Sequence, residues 1–327
     1  MSQMRVREAL NRALREEMDL DPHVILMGED IGAFKGSFKV TKDLLADYGP
    51  ERVMDTPISE NSFTGIGVGA AMTGLKPVVE IMTINFSLLA LDQIINHAAH
   101  IRYMFGGNAQ VPLVVRMPQG GGHQLGPTHS HCWEAMYAQV PGLMVAIPYS
   151  ASDAYGMLKT AIREPNPVVF IEHETLYGDQ GEVADEEFLV PFGQANVVRE
   201  GTDITLWGAS MGVKVALQAA ELLEGEGISA EVIDPRTLRP LDIKTVIDSV
   251  AKTHLLVTVE EGWPRWGVGS EIVAQVVNHG FDHLDGPPLR VTGADVPMPY
   301  AKNLEAAAMP TPELVAERAR ELVLRKR

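Results

Sequence analysis

This chain has a single cysteine, few aromatics and no long apolar run. Cys132 stands alone among 327 residues, so no intrachain disulfide can form and a reducing compartment is expected. Apolar runs such as "HLLVTV" fall far short of the ~20 residues a membrane-spanning helix needs. The first residues, "MSQMRVREALNRALREEMD", read as a charged amphipathic helix without the apolar centre of a signal peptide. We therefore expect a cytoplasmic chain with no membrane segment. Low-complexity tracts and short repeats are missing as well. Basic residues are in deficit: 27 Lys and Arg against 43 Asp and Glu leave a formal charge of −16. That excess repels nucleic-acid phosphates and anionic bilayers, and it suits a basic protein partner; a solubilising acidic surface accounts for it equally well.

What is present is the pattern of a layered α/β protein. The length allows two ordinary domains, and 46% apolar with 21% charged residues is a globular composition. "HVILMGED", "KPVVEIM", "VPLVVRM" and "NPVVFIEH" are continuous, β-branched apolar runs of strand length. Between them, "FSLLALDQIINHAAHIRYMF" repeats apolar residues at three- and four-residue steps, as a helix does. "SASDAYGMLKTAIRE" opens with Ser150 or Ser152 as N-cap. Continuous apolar strands alternating with helices imply a mainly parallel sheet covered on both faces. A second cycle follows Pro191: strands at "DITLWGAS", "ISAEVIDP" and "HLLVTVEEG", helices at "GVKVALQAAELLEGEG" and "LDIKTVIDSVAKT", then a late strand and loop, "RVTGADVPMPYA". The terminal "TPELVAERARELVLRKR" is a helix with Thr311 as N-cap and Pro312 in its first turn. The acidic, irregular stretch near 178–196 is the expected linker, giving domains 1–185 and 186–327.

Several residues are candidates for chemistry. Gly65-x-Gly67-x-x-Ala70 has the spacing of a dinucleotide turn, but such a turn follows an apolar strand, with an acid about 20 residues on. Here polar, proline-broken "TPISENSFT" precedes it and Glu80 comes too early. A helix from about Ser59 through Thr73 fits better, with Gly65, Gly69 and Ala70 permitting close approach by another backbone, a contact between subunits being one case. Glu60 then lies at that helix's N-terminus, either answering the helix dipole, or exposed, or chemically active. Glu29 ends a separate apolar strand, where ligands collect in such sheets, so the two carboxylates could converge on one cleft. His129 and His131 share one side of an extended chain, and His97 and His100 one helical face. Neither pair has the further ligands of a recognised metal site. His129 sits in a glycine-dense loop, where it is either an acid/base or idle. Phe86 offers core packing or a flat wall for a ring.

Taken in order, "GEDIGAFKGSFKVT", "DTPISENSFTGIGVGAAMTG", "NFSLLALDQIINHAAHIRYMFGG", "THSH", "AIREPNPVVF" and "RVTGADVPMPYAKNLE" carry a resemblance over nearly the whole chain. The sequence resembles the β subunits of the thiamine-diphosphate-dependent E1 components of 2-oxoacid dehydrogenase complexes. The last motif is most similar to the pyruvate dehydrogenase branch; the branched-chain and acetoin branches share much of the rest. The resemblance implies an N-terminal pyrimidine-binding α/β domain with a parallel sheet and a C-terminal transketolase-like α/β domain. It implies an α2β2 assembly with an E1 α subunit, which holds the diphosphate and Mg2+ through G-D-G followed at a distance by N. That signature is missing here, since "GDQG" at Gly178 breaks it. It further implies oxidative decarboxylation of a 2-oxoacid, with transfer of the acyl group to the lipoyl domain of an E2 dihydrolipoyl acyltransferase. The basic subunit-binding domain of E2 is the partner that the acidic charge suits.

Residue by residue, the resemblance implies that Glu60 hydrogen-bonds N1′ of the cofactor's aminopyrimidine and that Phe86 stacks on that ring. His129 would assist proton transfer and the acylation of the lipoyl group. Glu29 and Asp92 match acids lying between paired cofactors, where a proton path is proposed; Leu89 stands where some relatives have a carboxylate. Leu113, Ala161, Ile162, Glu164 and Asn166 match a potassium site built largely from carbonyls, with Glu164 in place of the usual aspartate. A scaffold that only stabilises the α subunit and tethers it to E2 is the alternative from another class, and an NADH-binding dehydrogenase is a further one.

Overall fold

The structure is a computed structural model that describes residues 1–326. The chain forms two compact units: Met1–Gln119 with Met136–Phe192, and Gly120–Ala135 with the chain from Gly193 onward.

In the first unit, β1 (Val24–Gly28), β2 (Val53–Asp55), β3 (Lys76–Glu80), β4 (Val114–Gln119), β5 (Met144–Ala146) and β6 (Val168–His173) pair in the order β5-β6-β4-β3-β1-β2, all parallel. Every residue of β1, β4 and β6 is buried, as apolar runs covered on both faces require. Helices α1 (Val6–Leu20), α2 (Glu60–Met72) and α3 (Ala151–Arg163) cover the sheet. The apolar stripe of α1, with Leu10, Leu14 and Met18, packs on α3 through Tyr155 and Leu158 in one core. Fully burying each such side chain is worth about 1.5–3 kcal/mol. The same helix pair shares a partly buried charge cluster in which Lys159 and Glu17 are enclosed. Lys159 Nζ lies 2.5 Å from Glu16 and 3.4 Å from Glu17, and Arg163 Nη2 lies 2.7 Å from Glu17. Ser150 is the N-cap of α3, its Oγ accepting the Asp153 N–H at 3.0 Å.

Two expectations are corrected in this unit. The segment expected as one helix over Phe86–Phe105 is three: a 3-10 stretch Ile84–Ala90, a π stretch Asp92–Ala99 and an α turn Ile101–Met104. Side-chain bonds tie the 3-10 and π stretches to their surroundings. Tyr137 Oη donates to Ser87 Oγ, which donates to the Ile84 carbonyl, each at 2.5 Å. Gln93 reaches sideways to Asn61 at 3.1 Å. The first residues, expected as helix, begin as a strand instead; its partner lies in the stretch expected as linker, near 178–196, within which the two units divide between Phe192 and Gly193. Gln180–Val183 pairs antiparallel with Ser2–Arg5, so the chain begins as an edge strand before α1 starts.

In the second unit, β7 (Asn196–Arg199), β8 (Ile204–Gly208), β9 (Ala230–Asp234), β10 (Leu256–Val259) and β11 (Leu289–Val291) line up as β11-β10-β8-β9-β7. Only β7 runs antiparallel to its neighbour. α4 (Met211–Glu224), α5 (Ile243–Thr253) and α6 (Val268–Gly280) follow the strands, and α8 (Pro312–Lys326) packs on α4 after a short α7 (Lys302–Ala308). Thr205 of β8 meets Ser249 and Thr253 of α5 at 2.6 and 2.7 Å, so buried hydroxyls seat this helix on the sheet.

Candidate functional site

The first unit gathers acids at the carboxyl ends of its central strands, where parallel α/β sheets bind ligands. Gly28, Asp55 and Glu80 stand in register at that edge. A Cβ on Gly28 would come within 2.5 Å of the Glu80 carbonyl, so only glycine fits there. After Gly28 the chain turns sharply through Glu29 and Asp30, whose φ is 56°. Asp55 fixes the turn, its Oδ1 accepting the Gly32 N–H at 2.6 Å and its Oδ2 the Ala33 N–H at 3.0 Å. Asp55 was not singled out from the sequence, although an acid at a strand end before Thr-Pro was there to be read.

Glu60 is the first residue of α2 and is only 4% exposed. Burial excludes the exposed-charge reading. Glu29 is 6% exposed and accepts from the backbone N–H of Ser59, the N-cap of α2. The structure thus brings the two carboxylates together. The Glu29 carboxyl is pushed up to about 7, first by burial, then by the negative charges of Glu60 and Asp30, with the Ser59 N–H opposing. Glu29 Oε1 is buried with no hydrogen-bond partner among the described residues. Chemically this is an acidic pair that holds a proton near neutral pH and has acceptor capacity to spare for a donor.

Phe86 and Asp92 lie in the 3-10 and π stretches that pack against α2, Phe86 half-buried and Asp92 exposed. Asn96 donates to Asp92 at 2.7 Å, and His97 lies 3.7 Å from it. Leu89 is 63% exposed. The small residues of α2 divide by face. A Cβ on Gly65 would meet Gln93 at 3.0 Å and one on Gly67 would meet Val79 at 2.8 Å, while one on Gly69 would meet nothing within 4 Å. Gly65 and Gly67 therefore admit other segments of this chain, and Gly69 leaves an open strip beside exposed Ile66 and Met72.

Behind the strand ends, buried Arg116 donates through Nε and Nη2 to Glu172 at 2.7 and 2.6 Å, and through Nη1 to Glu80. Tyr177 also donates to Glu172. Burial raises the Glu80 carboxyl even so, with Arg116 opposing and Glu172 adding to the rise. This network braces β3, β4 and β6 beneath the site.

The residues matched to potassium lie in the same unit. Ala161, Ile162 and Glu164 form the carboxyl end of α3. Asn166 Nδ2 donates to Glu164 at 2.6 Å, Arg102 donates to Asn166 Oδ1, and the Val168 N–H donates to the Leu113 carbonyl at 2.8 Å. Among the described residues, no group of three or more His, Cys, Asp and Glu is placed to hold a metal ion.

His129 belongs to the second unit. It closes a 3-10 turn, Pro127–His129, and its Nδ1 lies 3.0 Å from Thr128 Oγ1. His131 is occupied otherwise: Trp133 Nε1 donates to its Nδ1 at 3.1 Å, and the rings of Trp133 and Trp263 lie 4.9 and 5.3 Å away. Burial lowers its affinity for a proton, so it is a neutral acceptor in an aromatic cluster. The loop carrying both histidines is held by residues of "RVTGADVPMPYAKNLE", a stretch whose sequence shows no catalytic set. Tyr300 covers Gly126, and Glu305 accepts from the loop backbone.

Comparison with known proteins follows the same division. Residues 2–180 match the family "Transketolase, pyrimidine binding domain" and residues 193–315 match "Transketolase, C-terminal domain". The chain is 55% identical over 327 residues to the pyruvate dehydrogenase E1 component subunit beta-1, mitochondrial, of Oryza sativa subsp. japonica, covering 99% of this chain and 87% of that protein. It is 51% identical over 311 residues to the pyruvate dehydrogenase E1 component subunit beta of Rhizobium meliloti, covering 95% and 68%. The mitochondrial counterpart in Saccharomyces cerevisiae is 49% identical over 326 residues, covering 98% and 89%. Among solved structures, a split-gene transketolase described as an inactive beta4 tetramer superposes with a TM-score of 0.81 at 23% identity, covering 98% of this chain and 99% of that one, and so shares the fold.

Proposed function

The chain belongs to the family of pyruvate dehydrogenase E1 component β subunits, and from that premise we propose that, with an E1 α subunit in an α2β2 assembly, it oxidatively decarboxylates pyruvate and acetylates the lipoyl groups of E2. The observation that carries this reading is the buried Glu29–Glu60 pair at the start of α2.

Thiamine diphosphate fits that pair. A buried carboxyl at Glu60, a neighbour holding a proton near neutrality and an unpartnered Glu29 Oε1 suit an aminopyrimidine ring, which carries both a basic nitrogen and N–H donors. When bound, the cofactor would supply the nucleophilic carbon and the electron sink for decarboxylation. Glu60 would hold N1′ and share a proton with it, at a position only 4% exposed and so closed to bulk water. Glu29 stands beside it, and the charge of Glu60 helps to keep the Glu29 carboxyl protonated. Phe86 would lie along the ring face, and His129 would hold or deliver a proton to the lipoyl sulfur during acetylation. Asp92, exposed on the π stretch, would extend a proton path from Glu29; Leu89 contributes no carboxylate to it. The diphosphate and Mg2+ fall to the α subunit. For potassium, the carboxyl end of α3 offers carbonyls and the negative pole of a helix dipole, with Leu113 joined nearby. Arg102 donates to the side-chain oxygen of Asn166, so a cation there would be held through backbone oxygens. The acidic surface suits the basic subunit-binding domain of E2. No described helix is long and apolar enough to cross a membrane.

The test is reconstitution of purified α with this chain carrying Glu60→Gln. A fall in decarboxylation of about 100-fold or more, with the assembly intact, is expected. Full decarboxylation by the variant leaves only the scaffold reading. A substrate panel with the unaltered pair should favour pyruvate over branched-chain 2-oxoacids and acetoin.

A further inference from the structure

The proposal concerns how His129 is held in place, and it rests on the role given to His129 above. The segment leading to it, "GGGHQLGPTH", has no strand or regular α-helix to define it. Four of its residues, Gly120, Gly122, Gln124 and Gly126, have left-handed φ values of 100°, 109°, 58° and 75°. Such a glycine-dense stretch has many conformations of similar energy when free, so its shape must come from outside contacts.

Those contacts come from far along the chain, within the same unit. Glu305 on α7 is only 2% exposed, and its Oε1 accepts the N–H groups of Gly122 at 3.0 Å and Gln124 at 2.8 Å. Glu261 Oε1 accepts the Gly121 N–H at 2.6 Å. The ring of Tyr300 fills the space over Gly126, 2.2 Å from where a Cβ would stand. The His129 N–H then donates to the Gly126 carbonyl at 3.3 Å, so the turn with His129 hangs directly on the clamped residues. A carboxylate accepting two backbone N–H groups in a buried setting makes charge-assisted bonds that a mobile loop would not keep otherwise.

We propose that Glu305 is a positioning residue for His129: by fixing Gly122 and Gln124, with Tyr300 seated on Gly126, it sets where the imidazole stands for lipoyl acetylation. A displacement of about 1 Å at a reacting group costs on the order of 100-fold in rate, so loss of the clamp should be read in the step that uses His129.

The experiment uses the reconstituted α–β pair and measures pyruvate decarboxylation with an artificial acceptor and acetylation of a lipoyl domain side by side. Glu305→Ala should lower kcat for lipoyl acetylation about 10-fold or more, with a several-fold smaller loss in decarboxylation and little change in KM for the lipoyl domain. Glu305→Gln keeps an acceptor oxygen and should recover most of the lost rate. Tyr300→Ala alters a side chain that is 64% exposed, and should give the same uneven loss. Amide hydrogen exchange at Gly122 and Gln124 should quicken in Glu305→Ala and return towards the parent in Glu305→Gln. Unchanged exchange in Glu305→Ala, or equal losses in both reactions without rescue by glutamine, overturns the proposal. If His129→Ala itself leaves acetylation intact, the role of His129 falls and this proposal falls with it. If His129→Ala is severe while Glu305→Ala is silent, the positioning role alone is overturned.

Discussion

Glu29 docks on the N-cap of the helix that Glu60 begins, and the charge of Glu60 helps to keep a proton on Glu29. Its carboxyl titrates at about 7 in the folded chain against an ordinary 4.5. Between those values the folded chain holds the extra proton, so this group's contribution to stability is greatest at low pH and declines as pH rises towards about 7, levelling beyond. Glu29→Gln should remove that decline and be more stable than the parent chain at about pH 8, with the gap narrowing towards about pH 5. Urea midpoints across this range check it; a gap that widens on acidification would refute the assignment.

The glycines of α2 should respond in opposite directions. Gly67→Ala drives a methyl against Val79 and should destabilise the chain by about 1–3 kcal/mol. Gly69→Ala meets open space and should stabilise the isolated chain by about 0.5–1 kcal/mol through helix propensity. If the open strip with Ile66 and Met72 is where another subunit lies close, the Gly69 variant should also weaken assembly with α, read by sedimentation.

Arg116 is enclosed by two carboxylates, and its removal strands both. Arg116→Met should cost about 3–5 kcal/mol in denaturant titrations. Adding Glu80→Gln and Glu172→Gln should recover much of that loss, because the buried negative charges leave with their partner.

Gly126 and Tyr300 should couple. Gly126→Ala requires a left-handed alanine and collides with the tyrosine ring, so a destabilisation of about 2–5 kcal/mol is expected. In a Tyr300→Ala background the collision vanishes and only the backbone strain of about 1–2 kcal/mol remains. A double-mutant cycle of thermal midpoints measures the difference.

The sheets and most helices were legible because their signals are local. Continuous β-branched runs fixed β1, β4 and β6, and the expected helix from Ser59 to Thr73 is α2 to within a residue at each end. The pitch of Ile84–Met104 was not legible, since apolar residues at steps of three and four suit 3-10, α and π turns alike. Glu29 and Glu60 were readable as two carboxylates that could converge, one after a strand and one opening a helix. The clamp on the histidine loop was not. It joins Glu305 to Gly122 across 183 positions, and nothing near either residue announces the other.

The stretch from Gly120 to Ala135 is grouped with the second unit although the first unit resumes after it. A polypeptide threaded in this way cannot be parted into two modules by one scission. A fragment ending near residue 185 would carry this arm without Glu261, Tyr300 or Glu305, and the complementary fragment would keep those residues with nothing to grasp. The halves would have to find each other again before the arm regained its form, so this enzyme is one in which fragment complementation, rather than domain excision, is the workable route to dissection.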